Sequence, residues 1–151
     1  MIDFVKQHAK HFNFKQFVAQ TLAEDVGNGD HTSLSTIPAS HTGKMQLLVK
    51  EDGIIAGIEA AREFFKIAAP KIKLTFFVTD GDPVKKGQVA FTAEGNTRTL
   101  LTLERPVLNL MQRMSGIATR TAHLQKLCRG TRAKVIDTRK TTPGFRFFEK
   151  W

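Results

Sequence analysis

Residues 137–144 carry the densest set of side chains that could bind a ligand. An apolar run, residues 133–136, leads into an acid, two adjacent cations and three hydroxyl groups, and the segment ends in a Pro-Gly turn. In parallel α/β folds, ligands gather beyond the carboxyl ends of strands, and Arg139 next to Lys140 suits an anion there. We predict an anion-binding loop, although an ordinary strand-to-helix connection with solvated charges would have the same composition.

Two other groups of polar residues contain side chains that can bind metals. The segment 24–30 has three carboxylates in a glycine-containing turn. It lacks a spaced fourth ligand and the EF-hand pattern, which favours a solvated acidic turn. His8 and His11 share a helical face without an acid at ligand spacing. We therefore assign no metal ligand in this sequence.

The composition favours an anionic partner. The 151 residues include 23 Lys and Arg against 14 Asp and Glu, a formal charge of +9, and 41% of them are hydrophobic. Because the cations form no run of about five like charges, a polybasic nucleic-acid-binding tail is not predicted. No apolar run reaches the ~18 residues of a membrane span, and the first residues do not resemble a signal peptide. Cys128 is the single cysteine, and we predict it to be a buried residue of a helix. Because one cysteine cannot form a disulfide within the chain, a reducing compartment is favoured, and the chain is predicted to be cytoplasmic.

Periodicity predicts alternating helices and strands in the first half. Residues 3–24 have an apolar spacing of three and four, which indicates one or two helices that break or cap at Asn13. Alternation over residues 43–58 predicts a β-hairpin that turns at Asp52 and Gly53. A helix is predicted over residues 59–69, and a second strand-turn-strand unit after it, with its turn at residues 80–87.

The second half is predicted to be mainly helical. A helical apolar stripe begins at Thr97, and Pro106 lies inside it, so we expect the backbone to be kinked or restarted beside Arg105. Residues 133–137 are predicted to form a short buried strand, and a helix is predicted to begin after Gly144. Since an amphipathic helix rarely ends within its second turn, we expect the polypeptide to be truncated.

Four motifs, in order along the chain, resemble those of a known family. They are residues 24–30, 80–87, 104–119 and 137–144. With them the chain resembles quinolinate phosphoribosyltransferase, also called carboxylating nicotinate-nucleotide pyrophosphorylase, over about the first half of that family's length. The resemblance implies a pentosyltransferase of NAD biosynthesis that joins quinolinate to the ribose of phosphoribosyl pyrophosphate. The products would be nicotinate mononucleotide, CO2 and pyrophosphate, with Mg2+ on the phosphates.

The resemblance also implies an α/β fold with α+β character. Residues 1–112 would form an open-faced α/β sandwich that caps a site, and residues 113–151 would begin an α/β barrel that is cut short. The family shares its sites between subunits, which implies a homodimer or larger homo-oligomer.

Site residues follow from the same resemblance. Arg139 and Lys140 would bind the carboxylates of quinolinate, Thr138 would lie beside that substrate, and Arg105 would reach into the partner subunit's site. Physical chemistry agrees, because a planar dicarboxylate suits the bidentate fork of a guanidinium group.

Part of the family's site is not present in this sequence. The family's next stretch carries a His-Arg pair, a further lysine, acidic residues and glycine-rich phosphate loops, all expected after Trp151. We therefore assign no catalytic residue and no Mg2+ ligand, and expect the 151-residue chain to be inactive alone. Two alternatives stay open: a related barrel protein with another substrate, or a basic nucleic-acid-binding or carrier module supported only by the charge and the turn at residues 80–87.

Overall fold

The computed structural model describes residues 11–151 as helices combined with antiparallel sheets. Helices in this part of the chain are Phe14–Val26 (α1), His31–Thr36 (α2), Ile58–Ala68 (α3), Thr97–Leu127 (α4) and Arg146–Lys150 (α5). The strands there are Thr42–Leu48 (β1), Gly53–Ile54 (β2), Lys73–Phe76 (β3), Pro83–Val84 (β4) and Val89–Asn96 (β5). The predicted mixed fold class is confirmed.

Asn13 begins α1, as the sequence predicts. Its side-chain oxygen accepts a hydrogen bond from the Gln16 amide at 2.9 Å, which satisfies an amide that the first turn of a helix leaves unpaired. The helix ends at Val26, and Gly27 follows with a φ of 51°, a backbone conformation that glycine adopts without strain. Residues 3–10 of the predicted helix, with His8, lie outside the described residues.

The acidic turn leads into α2, a helix that the sequence did not predict. Asp30 caps this helix, because its two carboxylate oxygens accept hydrogen bonds from the Ser33 amide at 3.1 Å and the Ser33 hydroxyl at 2.5 Å. Arg98 of α4 holds the other end of α2 by donating to the carbonyls of Ile37 at 2.7 Å and Leu34 at 3.0 Å. A six-residue helix has little stability of its own, so these side chains account for its formation.

The larger sheet has one covered and one open face. Its strand order is β1-β5-β3, with both neighbouring pairs antiparallel. Alternation places on the covered face the apolar residues Met45, Leu47, Leu74, Phe76, Phe91 and Ala93. The opposite face is polar and includes Lys44, Gln46, Lys73, Thr75, Thr92 and Glu94. This is the open-faced sandwich that the resemblance implies.

The two predictions about strand pairing have different outcomes. The hairpin across Asp52 and Gly53 is wrong, because β1 pairs with β5 while β2 pairs with β4. Alternation shows which face of a strand is buried but not which strand lies beside it. The second strand-turn-strand unit is confirmed, since β3 and β5 pair, with β4 inside the connection.

Two hydroxyl groups of α4 hold β2 and the residues after it. The Ser115 hydroxyl accepts from the Ala56 amide at 3.0 Å and donates to the Ala56 carbonyl at 3.1 Å. Thr119 makes the same pair of contacts with Ile54, at 2.9 Å and 3.3 Å. These hydroxyls supply the partners that a neighbouring strand would otherwise provide.

Helix α4 is continuous over 31 residues although Pro106 lies inside it. A restart beside Arg105 is therefore wrong, while a kink there stays a prediction. An interior proline removes one helical hydrogen bond and costs about 3 kcal/mol, but here it is buried with the apolar stripe of Leu100, Leu103, Val107, Leu110, Met111 and Met114. Packing of this stripe compensates for the lost hydrogen bond, since each buried apolar side chain contributes about 1.5–3 kcal/mol. Helix α3, predicted over residues 59–69, forms and buries Phe64 and Phe65 against the same core.

Two predictions near the end of α4 are wrong. Residues 133–137 form no strand, and Ile136 is 85% exposed, because no other strand in the described chain runs beside them to pair and cover them. Cys128 is only half-buried and directly follows the last residue of α4. The sequence pattern alone therefore did not predict how exposed these residues are.

We predict that Asp80 stabilises the start of α3. The residue before this helix is Gly57, which has no side chain to cap it, and the Asp80 carboxylate instead accepts from the Ile58 amide at 2.7 Å and the Glu59 amide at 3.3 Å. Asp80→Ala should lower the free energy of unfolding by about 1 kcal/mol, measured by urea denaturation. Glu51→Ala removes an exposed carboxylate elsewhere and serves as the control; equal losses in both variants would contradict the capping role.

Candidate functional site

The 137–144 loop is a folded turn between α4 and α5. The Arg139 carbonyl accepts from the Thr141 amide at 3.1 Å, and the Lys140 amide donates to the Thr138 hydroxyl at 3.2 Å. Thr138, Arg139 and Lys140 are all exposed. Two backbone amides of the loop are therefore bonded within it, while its two cations are exposed.

Helix α5 contacts the loop at several positions through its polar face. Arg146 donates from Nε to the Thr141 hydroxyl at 3.0 Å and from Nη2 to the Arg139 carbonyl at 3.2 Å. Lys150 forms an ion pair with Asp137, at the beginning of the loop. These contacts tie the loop conformation to the position of α5.

A cluster of Arg113, Thr142 and Glu149, here called the Glu149 cluster, joins the loop to both α4 and α5. Arg113 donates to Glu149 Oε1 from Nε at 2.9 Å and from Nη2 at 2.7 Å, and Nη2 also lies 3.2 Å from the Thr142 hydroxyl. Thr142 donates to Glu149 from its hydroxyl at 2.7 Å and from its amide at 3.0 Å. Burial raises the pKa of Glu149, but the hydrogen bonds from Thr142 and Arg113 outweigh it and hold the pKa below its ordinary value.

The opposite face of α5 packs on the beginning of the described chain. Phe12 stacks on Phe147 with ring centroids 4.2 Å apart and planes at 3°, and Phe17 lies 4.6 Å from Phe148. Phe147 and Phe148 are buried. This aromatic packing holds α5, and through it the loop, against α1.

Arg105 lies apart from the loop, on the exposed surface of α4 beside α2. Within the described chain it makes no hydrogen bond or ion pair, and it is not brought into contact with Arg139 or Lys140. Arg105 is near enough to Asp30 for its charge to act on that carboxylate. Hydrogen bonds from the Ser33 side chain and backbone hold the pKa of Asp30 below its ordinary value, and the charge of Arg105 adds to this effect. Arg113 follows Arg105 by eight residues on α4, a rise of about 12 Å.

The described residues contain no cluster that could hold a metal ion by protein ligands alone. Among residues 11–151, no group of three or more His, Cys, Asp or Glu side chains is close enough to hold a metal ion. In the acidic turn, the Asp30 oxygens are already used to cap α2. Nor does any helix within residues 11–151 have the length and apolar character needed to cross a membrane.

Sequence reasoning missed Arg113, Arg146 and Glu149. Arg146, Glu149 and Lys150 share a helical face opposite Phe147 and Phe148, so the amphipathic pattern of α5 held a signal for two of these residues. Arg113 meets Glu149 across 36 positions of sequence, and no local pattern predicts such a contact.

The described chain forms an open-faced α+β sandwich. One long helix, α4, connects it to the loop that carries the two adjacent exposed cations, Arg139 and Lys140. Sequence models of the N-terminal and C-terminal domains of quinolinate phosphoribosyl transferase match residues 30–115 and 117–151. The chain belongs to the quinolinate phosphoribosyltransferase family, which confirms the resemblance carried by its four motifs.

Similar proteins come from plants and bacteria. The chain is 43% identical over 141 residues to quinolinate phosphoribosyltransferase [decarboxylating] 2b, mitochondrial, of Nicotiana tabacum, covering 93% of this chain and 40% of the relative. It is 38% identical to the probable nicotinate-nucleotide pyrophosphorylase [carboxylating] of Bacillus subtilis and covers 48% of it. The crystal structure of NadC from Streptococcus pyogenes superposes with a TM-score of 0.86 at 34% identity, covering 91% of this chain and 49% of the other. The chain thus spans less than half the length of these relatives.

We predict that both Ser33 and Arg105 affect the titration of Asp30. Because the folded pKa of Asp30 is depressed, the interactions responsible stabilise the fold at neutral pH, and this contribution is lost as the pH falls through that pKa. Ser33→Ala should raise the pKa of Asp30 towards its ordinary value, and Arg105→Ala should raise it less. Carboxyl NMR titration measures both, with Arg129→Ala as the control; an unchanged pKa in Arg105→Ala would mean that Arg105 does not lie near Asp30 in solution.

Proposed function

We propose that this chain supplies the quinolinate-binding loop of a quinolinate phosphoribosyltransferase, which forms nicotinate mononucleotide in NAD biosynthesis. The observation that carries the proposal is that a member of this family presents Arg139 and Lys140 side by side, exposed, on a turn whose backbone is held in place. In this proposal the two cations bind the carboxylates of quinolinate and Thr138 lies beside the ring.

These residues orient the substrate rather than transfer protons. The pyridine nitrogen attacks the anomeric carbon of phosphoribosyl pyrophosphate as the bond to pyrophosphate breaks. The carbon–carbon bond to the carboxylate next to the nitrogen then breaks, CO2 leaves, and the electron pair left on the ring carbon takes a proton. Cations held on the carboxylates direct the nitrogen and offset charge that changes during these steps. We assign no described residue to the proton or to pyrophosphate.

Mg2+ enters the proposal only as the ion that accompanies phosphoribosyl pyrophosphate, where it neutralises phosphate charge. The same proposal divides the chain into a capping sandwich, residues 1–112, and the beginning of a barrel, residues 113–151. It places the protein in the cytoplasm, which the single cysteine suits. It further treats the protein as a homodimer or larger homo-oligomer, in which Arg105 of one subunit completes the other subunit's site.

The first test is ligand binding by the purified chain. Calorimetric titration at low ionic strength should show quinolinate binding more tightly than nicotinate, which has one carboxylate. Arg139→Ala should weaken quinolinate binding about tenfold or more, since a charge-assisted hydrogen bond contributes about 1.5–3 kcal/mol. Arg132→Ala, an exposed cation outside the loop, is the matched control. Equal affinity for the two acids, or equal effects of the two substitutions, would contradict the proposal. We expect the chain to bind quinolinate without forming nicotinate mononucleotide.

The second test asks whether Arg105 acts in the partner's site. Arg105→Ala and Arg139→Ala should each weaken quinolinate binding when measured separately. After the two variants are mixed and allowed to exchange subunits, mixed dimers contain one site with both arginines, so about a quarter of all sites should regain full affinity. A mixture that binds no better than its components would contradict a shared site.

A further inference from the structure

Glu149 is a buried carboxylate whose hydrogen bonds converge on the end of the 137–144 loop. Its side chain is 6% exposed, whereas that of Arg113 is 54% exposed. Oε1 accepts from Arg113 and from the Thr142 hydroxyl, and Oε2 accepts from the Thr142 amide at 3.0 Å. Every donor belongs either to α4 or to Thr142, so the carboxylate links a rigid helix to the loop.

A buried carboxylate remains ionised only when its charge is well compensated. Glu149 meets this condition through one guanidinium group and two donors from a single threonine. Removing that charge, with no other change in shape, would weaken all of these contacts together, because charge-assisted hydrogen bonds are roughly twice as strong as neutral ones.

Thr142 lies only two positions after Lys140 and three after Arg139. Its amide and its hydroxyl both donate hydrogen bonds to Glu149. This carboxylate therefore sets the path of the backbone directly after the two cations. Arg146 and Lys150 hold the preceding part of the loop from the same helix. A displacement of about 1 Å in a binding group is enough to cost a large factor in activity.

We propose that Arg113 and Glu149 are positioning residues that, through Thr142, hold the 137–144 loop in the conformation that presents Arg139 and Lys140 together. This role rests on the proposed function of the loop as the quinolinate site. Neither residue touches the substrate in this proposal. Their effect is to reduce the number of conformations that the two cations sample before a dicarboxylate arrives.

The conformation of the loop can be measured separately from the stability of the whole chain. The amides of Lys140 and Thr141 form hydrogen bonds inside the loop and not to Glu149, so their hydrogen exchange reports the loop conformation. Glu149→Gln removes the charge and keeps the shape. The matched control is Glu63→Gln, which neutralises an exposed carboxylate paired with Lys66 on α3, away from the loop.

The experiment measures three quantities for each variant of the 151-residue chain: amide exchange at Lys140 and Thr141, the urea midpoint, and quinolinate affinity by calorimetry. In Glu149→Gln we expect exchange at both amides to accelerate about tenfold and quinolinate affinity to fall about tenfold, a change of 1.4 kcal/mol. Glu63→Gln should change neither.

A second pair of variants keeps the test decisive if Glu149→Gln does not fold. Thr142→Val removes the hydroxyl donor at constant size and should reproduce the faster exchange and weaker binding, while Thr142→Ser retains the donor and should restore both. Unchanged exchange in Glu149→Gln and in Thr142→Val would overturn the proposal, as would faster exchange with unchanged affinity. If the unmodified chain binds no quinolinate, the proposed function fails, and the exchange data alone decide whether Glu149 holds the loop.

Discussion

The buried apolar stripe of α4 is the constraint on which the other elements depend. Its residues from Leu100 to Met114 pack against α3 and the covered face of the sheet. Once the stripe is buried, the rotation of the helix about its axis is set, and with it the direction of every polar side chain on the other faces. Arg98 then faces α2, Ser115 faces the residues after β2, and Arg113 faces Glu149. Apolar burial thus positions polar contacts that have no common pattern in the sequence.

Three of the four arginines on α4, Arg98, Arg105 and Arg113, have different surroundings. Arg98 donates to carbonyl groups at the end of α2, and Arg113 donates to the Glu149 carboxylate and the Thr142 hydroxyl. In the described chain, Arg105 lies beside Asp30 without an acceptor within hydrogen-bonding distance. A guanidinium group has five N–H donors, and those of Arg105 have no partner in the described chain. This difference supports the proposal that Arg105 serves a ligand or another subunit while its neighbours serve the fold.

Local patterns predicted the fold where the cause of the structure is local. Asn13 caps a helix, Gly27 ends it, and alternation identified the strands, because each of these depends on a few neighbouring residues. Long-range partners were not predictable in the same way. Residues 43–58 alternate as a hairpin would, yet β1 and β2 belong to different sheets. The family motifs led to Arg139 and Lys140 as candidate ligands, which stay predictions, whereas the contact of Arg113 with Glu149 needed the folded chain.

The exposed segment at residues 133–137 has a consequence for the behaviour of the protein at high concentration. Val135 and Ile136 are β-branched, Ile136 is 85% exposed, and in the described chain the backbone from residue 134 to residue 137 makes no hydrogen bond. Such a segment is a template on which the same segment of another molecule can pair. Lys134 lies at one end, and its charge opposes in-register stacking of identical copies, where like charges would meet; at the other end, Asp137 is paired with Lys150. Salt that screens this charge removes the protection it gives.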